Sequence, residues 1–158
     1  MIRRYKEEDL PVIASIGRRA WINIYNMYQD TYGCDLFSLL IPNKDTAKEE
    51  QLRHHVKHHP DWIYICEENG KIVGFITFSI EQDGKIGRIG NNAVDPECGL
   101  KGIGQQMYRE VFKRFKEEGV LYAQVTTGLD DTHLPARRAY ERAGFNIKKE
   151  DVTYFKKL

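Results

Sequence analysis

The segment Val94-Asp95-Pro96-Glu97-Cys98-Gly99-Leu100-Lys101-Gly102-Ile103-Gly104 constrains this chain more than any other stretch. Before it, Ile86 to Val94 reads as a strand that Asp95-Pro96 stops; after it, Ile103, Met107, Val111 and Phe115 fall four apart on one helical stripe. That helix ends near Gly119, and Val120 to Thr127 is again β-branched and partly apolar. Strand, glycine loop, helix and strand in that order imply a right-handed crossover and a parallel strand pair. At such a junction backbone N–H groups and the positive end of the helix dipole converge, and glycine admits an anion close to the backbone. A phosphate or pyrophosphate fits there; a tight turn of small residues is the competing reading.

Two phosphate loops are disfavoured by their neighbours. Gly99 to Gly104 has GxxxxG spacing, but Gln105-Gln106 stand where phosphoryl transfer from a nucleoside triphosphate needs a lysine and a hydroxyl residue. Read as GxGxxG from Gly102, the third glycine falls at Met107, and the loop follows the fourth strand rather than opening a doubly wound sheet.

The rest of the chain supplies a sheet and its cover. Residues 2 to 5 read as a strand, and Ile13, Ile16, Ala20, Ile24 and Met27 as a helix beginning at Asp9-Leu10-Pro11. Tyr28 to Asn43 is irregular, and a second helix runs from about Asp45 to His58 before Pro60. Trp62 to Cys66 and Ile72 to Ile80 flank Asn69-Gly70, and Asp83-Gly84 leads into Ile86 to Val94, giving three antiparallel strands in series. A last helix spans Leu134 to Ala143, and Phe145 to Lys148 and Asp151 to Lys157 read as terminal strands.

With 158 residues, 41% of them hydrophobic, and no repeat or linker, one domain covering residues 1–158 is expected. Twenty-four Lys and Arg against 23 Asp and Glu leave a net charge of +1, so no overall field attracts nucleic acid or an anionic membrane. The N-terminal residues carry no signal-like apolar stretch, and the longest near-apolar run, Ile72 to Ile80, is far short of the ~18 residues of a membrane span. Cys34, Cys66 and Cys98 have no CxxC spacing, which suggests neither a disulfide framework nor zinc and makes the cytoplasm the expected compartment.

Val94-Asp95-Pro96, the Gly99-x-x-Gly102-x-Gly104 loop and, some 30 residues on, Ala136-x-x-Ala139-Tyr140-x-x-x-Gly144-Phe145 together resemble the GNAT superfamily of acetyl-CoA-dependent N-acetyltransferases. The resemblance covers roughly residues 62 to 146. It implies an α/β (α+β) fold: a mixed, mostly antiparallel sheet with a splayed parallel pair and flanking helices. It implies acetyl-CoA as cofactor, its pantetheine on the main chain of Ala93 and Val94, and its diphosphate on Gly99, Leu100, Lys101, Gly102, Ile103 and Gly104. His133, Ala136 and Arg137 complete the implied cofactor set. Two positions depart from the family pattern. Gly99 replaces the usual Arg or Gln, with Lys101 as a substitute charge, and His133 replaces a common Asn.

Tyr140 matches the family tyrosine placed as general acid for the leaving sulfur; an unperturbed phenol, with a pKa of ~10, is protonated at neutral pH. Asp130, Asp131 and Glu81 are candidate proton acceptors with no assignment among them. Trp21, Tyr25, Tyr28 and Tyr32 are candidates for an acceptor pocket, with Trp21, Tyr25 and Asp131 the substrate-binding expectation; aromatics at such steps also suit a core. The partner expected is a small-molecule or peptide amine, with pairing into a homodimer through terminal strands also compatible with the resemblance. His54, His55, His58 and His59 give two pairs four apart, but without a carboxylate or cysteine partner they suit a polar helix end better than a metal, and no metal is expected. A non-catalytic acyl-CoA sensor of the same fold is the alternative to an enzyme.

Overall fold

The computed structural model describes residues 1–158. Five strands form one sheet in the order β1 (Ile2–Arg4), β2 (Ile63–Glu68), β3 (Lys71–Ile80), β4 (Ile86–Val94) and β5 (Tyr122–Val125). The first four pair antiparallel and β4 pairs β5 in parallel, as the turn and crossover signals require. Asn69 and Gly70, at φ of 52° and 73°, close the first hairpin. In the second, Gly84 N–H donates to the Glu81 carbonyl and Glu81 N–H to that of Ile86.

Helices cover both faces, so β3 is buried from Val73 through Phe78 rather than on alternate residues. On one face α1 (Leu10–Leu40) and α2 (Ala47–His58) pack Ile13, Ile16 and Leu52 onto Ile63, Ile65, Phe75 and Ala93. On the other, α3 (Ile103–Glu117) and α4 (Leu134–Arg142) pack Ile103, Met107, Val111, Phe115 and Tyr140 onto Val73, Ile76, Phe78 and Ile89. The α3 residues are the stripe of four-residue steps read from the sequence.

The start of the chain is tied down by charge. Asp9 is 3% exposed and receives Arg3 through two bonds of 2.7 and 2.8 Å, while Arg3 Nε reaches Glu67 at 2.7 Å. Burial pushes the Asp9 carboxyl up, but the guanidinium and the Lys6 N–H outweigh it and hold the group below its ordinary value.

Two expectations are corrected. Tyr28 to Leu40 is helical, not irregular: α1 continues with Tyr28 stacked on Tyr32 at 5.7 Å and is broken only at Gly33. Gly33 lies at φ 74° and ψ 162°, which shifts the phase of the apolar residues and hides the helix from a periodicity reading. The terminal strands at Phe145 to Lys148 and Asp151 to Lys157 do not form. Phe145 packs on Phe112 and Tyr140, but Ile147, Val152 and Tyr154 are exposed by 83%, 70% and 87%. They bury too little to offset the entropy of ordering two more strands against a four-residue edge.

One close approach gives a test of the packing. A Cβ on Gly87 of β4 would stand 2.5 Å from Cζ of Phe115, a ring itself buried against Phe78. Gly87→Ala is expected to destabilise the fold by about 1–3 kcal/mol in urea denaturation, with Phe115→Leu in the same chain recovering part of the loss.

Candidate active site

The parallel ladder between β4 and β5 ends at Ile89 and Val125. Beyond it β4 runs on through Gly90 to Val94, while the chain after β5 turns away through Thr126, Thr127 and Gly128. The register between β3 and β4 also shifts here, and Thr77 Oγ1 donates to the Asn91 carbonyl at 3.1 Å. The opening is a cleft of about 1070 Å³ that passes between the sheet ends and reaches all four helices.

One end of the cleft meets the glycine loop. Gly102 precedes α3 at φ 81°, a left-handed conformation that glycine adopts without strain. The first bond of α3 runs from Gln106 N–H to the Gly102 carbonyl, so the N–H groups of Ile103, Gly104 and Gln105 have no protein acceptor. A Cβ at Gly102 or Gly99 would meet nothing within 4 Å, which leaves open space above those donors. Leu100, Gly102, Ile103 and Gly104 line the cleft; Gly99 and Lys101 lie in the same loop outside the lining.

Midway along the cleft Tyr140 is 9% exposed. Its phenol accepts from Asn92 Nδ2 at 3.2 Å, and Asn92 Oδ1 in turn accepts from Tyr108 at 3.0 Å. The Asn92 amide thus occupies a lone pair of the Tyr140 oxygen and leaves its hydrogen uncommitted. Burial pushes this phenol above its ordinary value, against the opposing bonds from Asn92 and Tyr108, so it is protonated at neutral pH. Gln105 Nε2 donates to the Ala139 carbonyl at 2.8 Å and fastens α4 to the first turn of α3.

His133, also on the lining, is buried at the head of α4, 6.2 Å from the Tyr28 ring between centroids, and pairs Nδ1 with Asp130 Oδ2 at 2.6 Å. A Cβ at Gly128 would fall 2.4 Å from that Oδ2 and 2.5 Å from that Nδ1, so only glycine leaves room for the pair. Arg137 lies outside the lining and donates Nη1 to the Gly128 and Asp130 carbonyls at 2.7 and 2.6 Å, bracing the loop. Ala93, Val94, His133 and Ala136 all border the cleft.

On the α1 and α2 side, Trp21 and Tyr28 reach the lining. Tyr25 does not: it is 5% exposed with its hydroxyl unpartnered, and burial pushes it up to about 12. Asp131 is exposed and also outside the lining, and Glu81 is engaged with Arg88. No aspartate or glutamate lines the cleft.

Nothing in the sequence pattern singles out Lys48. It is 7% exposed, with Nζ 2.8 Å from both Gln51 Oε1 and Asn91 Oδ1 and 4.0 Å from the centroid of Trp21. Burial pulls this ammonium down to about 8. Lysine in a polar helix ordinarily faces water; here α1 covers it, so closely that a Cβ on Gly17 would stand 3.4 Å from Lys48 Cβ.

The histidines of α2 close its end. His55 meets the Trp62 carbonyl at 2.9 Å and His59 stacks on Trp62, and no group of three or more His, Cys, Asp or Glu is placed to hold a metal ion. No helix is long and apolar enough to cross a membrane.

The cleft thus brings together the end of the parallel ladder, a helix start with free donors and a buried phenol. The model of the acetyltransferase (GNAT) family matches residues 21–145, and the chain belongs to that family, which uses acetyl-CoA. It is 26% identical over 100 residues to mycothiol acetyltransferase of Segniliparus rotundus, covering 60% of this chain and 37% of that protein. Against S-(2-succino)cysteine N-acetyltransferase of Bacillus subtilis it is 32% identical over 87 residues, 52% of this chain and 53% of the other. The chain therefore spans roughly a third to a half of the curated relatives it matches. In fold it is similar to PaiA N-acetyltransferase from Thermoplasma acidophilum in complex with coenzyme A, with a TM-score of 0.71 and 21% identity over 96% of this chain and 92% of that one. A GNAT family acetyltransferase from Brucella melitensis, in complex with acetyl-CoA, gives 0.62 and 17% over 93% and 82%.

The Lys48 ammonium has a pH signature. Its folded value of about 8 lies below the ordinary 10.5, so between them the unfolded chain holds more proton and folding gains stability as pH rises. The penalty is fully present below pH 8. The stability of Lys48→Met relative to wild type is therefore expected to fall by roughly 2 kcal/mol between pH 7 and pH 10, read as the difference of two denaturation series.

Proposed function

We propose that the chain is an N-acetyltransferase that moves the acetyl group of acetyl-CoA directly to a primary amine, with both substrates in the cleft together. The observation that carries this reading is the placement, along one opening, of unpaired N–H groups at the start of α3 and a buried phenol on α4 with its hydrogen uncommitted. The naming of relatives as N-acetyltransferases supports it.

The residues fit the cofactor. The N–H groups of Ile103, Gly104 and Gln105, with the loop from Gly99 through Leu100, Lys101 and Gly102, receive the diphosphate at the positive end of α3. Past the last β5 pairing, Ala93 and Val94 offer a strand edge to the pantetheine amides, with Ala136 beside them. Arg137 holds the loop that shapes this wall. Acetyl-CoA, when bound, supplies an acetyl thioester.

Trp21 and Tyr28 shape the acceptor side. His133, its Nδ1 held on Asp130 and its Nε2 without a protein partner, is the group on the lining that would take a proton from the amine as the new C–N bond forms. Tyr140 Oη gives its proton to the sulfur as the C–S bond breaks, while the Asn92 amide holds the oxygen in place.

Release of free thiol from acetyl-CoA in the presence of amines is the test. Tyr140→Phe is expected to lower kcat by ~10²-fold or more with little change in acetyl-CoA affinity. Unchanged turnover would place the acid elsewhere, and stabilisation by acetyl-CoA with no thiol release for any amine would make the protein a sensor. Gly102→Val is expected to weaken acetyl-CoA binding in calorimetry, because a β-branched residue does not hold φ 81° and the loop that presents the free donors must rearrange.

A further inference from the structure

The cleft described above has an uneven charge. Its lining includes Lys48, Arg88 and Arg142 and no carboxylate. Arg88 is paired with Glu81, and Arg142 stands exposed at the end of α4. Lys48 is different: it is buried, forms no salt bridge, and has only the neutral amide oxygens of Gln51 and Asn91 as hydrogen-bond partners. An ammonium has three N–H donors; two are taken by those amides, and the third has only the face of the Trp21 ring, 4.0 Å away, and no anion. An unpaired buried charge is expensive, and a methionine would fill the same channel beside Gly17 and Trp21 without that cost.

The position of the charge says which substrate it serves. Lys48 grips Asn91, whereas Asn92, the next residue of β4, grips Tyr140 on the opposite face of the sheet. The free N–H groups of the glycine loop belong to that second face, with α3 and α4. Lys48 therefore lies on the side away from the diphosphate, among the aromatic residues of α1, and next along the strand from the phenol.

We propose that Lys48 is the carboxylate-binding residue of the acceptor subsite, so that the acceptor is a compact amine of the amino-acid class, carrying a carboxylate near its amino group. The assignment rests on the acetyltransferase reading. The third N–H of Lys48 Nζ donates to that carboxylate, Trp21 forms the wall beneath it, and the amino group is held toward the end of the cleft where Tyr140 stands. Polyamines and other polycations are disfavoured, because Lys48 repels them and the Asp130 carboxylate, behind the lining, is engaged by His133.

The test uses matched acceptors: a panel of L-amino acids, the carboxamide of each, and the amine left by removing the carboxylate, with spermidine as a polycation. Wild type is expected to favour the acids over their amides and decarboxylated amines by about tenfold or more in kcat/KM, carried mainly by KM. Lys48→Met and Lys48→Gln are each expected to bring that ratio to within about twofold of one while leaving the acetyl-CoA Kd unchanged. Calorimetry of N-acetyl-L-amino acids against their amides, on the coenzyme A complex, reads the same preference without turnover. Equal use of amides or spermidine by wild type, or an acid preference that survives both substitutions, overturns the assignment and leaves the acetyltransferase reading intact. Failure to bind acetyl-CoA, or to turn over any amine, removes both.

Discussion

The parting of β4 from β5 is the constraint on which the rest of the molecule depends. The ladder stops after Ile89 and Val125, where β5 ends, while β4 has five residues still to run. The helices of both layers are held at their working distances by the continuous part of the sheet. The discontinuous part lets a chain-like ligand lie where a strand would otherwise be. Because Thr77 and the β3–β4 register shift anchor the diverging strand from its other side, the opening is built into the fold. The two sides of the cleft belong to different cores, to both of which β2, β3 and β4 contribute.

The general plan was legible in the sequence because its signals are local. Asn69-Gly70 and Asp83-Gly84 set two hairpins, the four-residue steps from Ile103 to Phe115 set α3, and Gly99 to Gly104 set the loop between them. The same locality explains what was missed. Helix α1 changes phase at Gly33, so a window of uniform period sees disorder on its far side. The final residues alternate as strands do, but whether they pair depends on the length of β5 and the burial available there.

Within the cleft the visible positions were those where the backbone is the chemistry: free amides and glycines follow from spacing alone. Side-chain neighbours from distant segments were not visible. Asn92 is an ordinary strand residue until Tyr108 and Tyr140 close on it, and Lys48 an ordinary surface lysine until α1 covers it. Trp21 was legible and reached the cleft, whereas Tyr25, one turn on, faces the interior with its hydroxyl unpartnered. The sequence places both on one helix; the rotation of that helix against α2 decides which of them meets solvent.

Asn91 and Asn92 are consecutive, yet each holds a different layer: one is tied to α2, the other to α3 and α4. The phenol with its support and the Lys48 side of the cleft thus share a backbone without sharing side chains. Exchanges on the α2 side therefore leave the phenol and its support untouched, and the asparagine pair marks a seam between two separately variable walls.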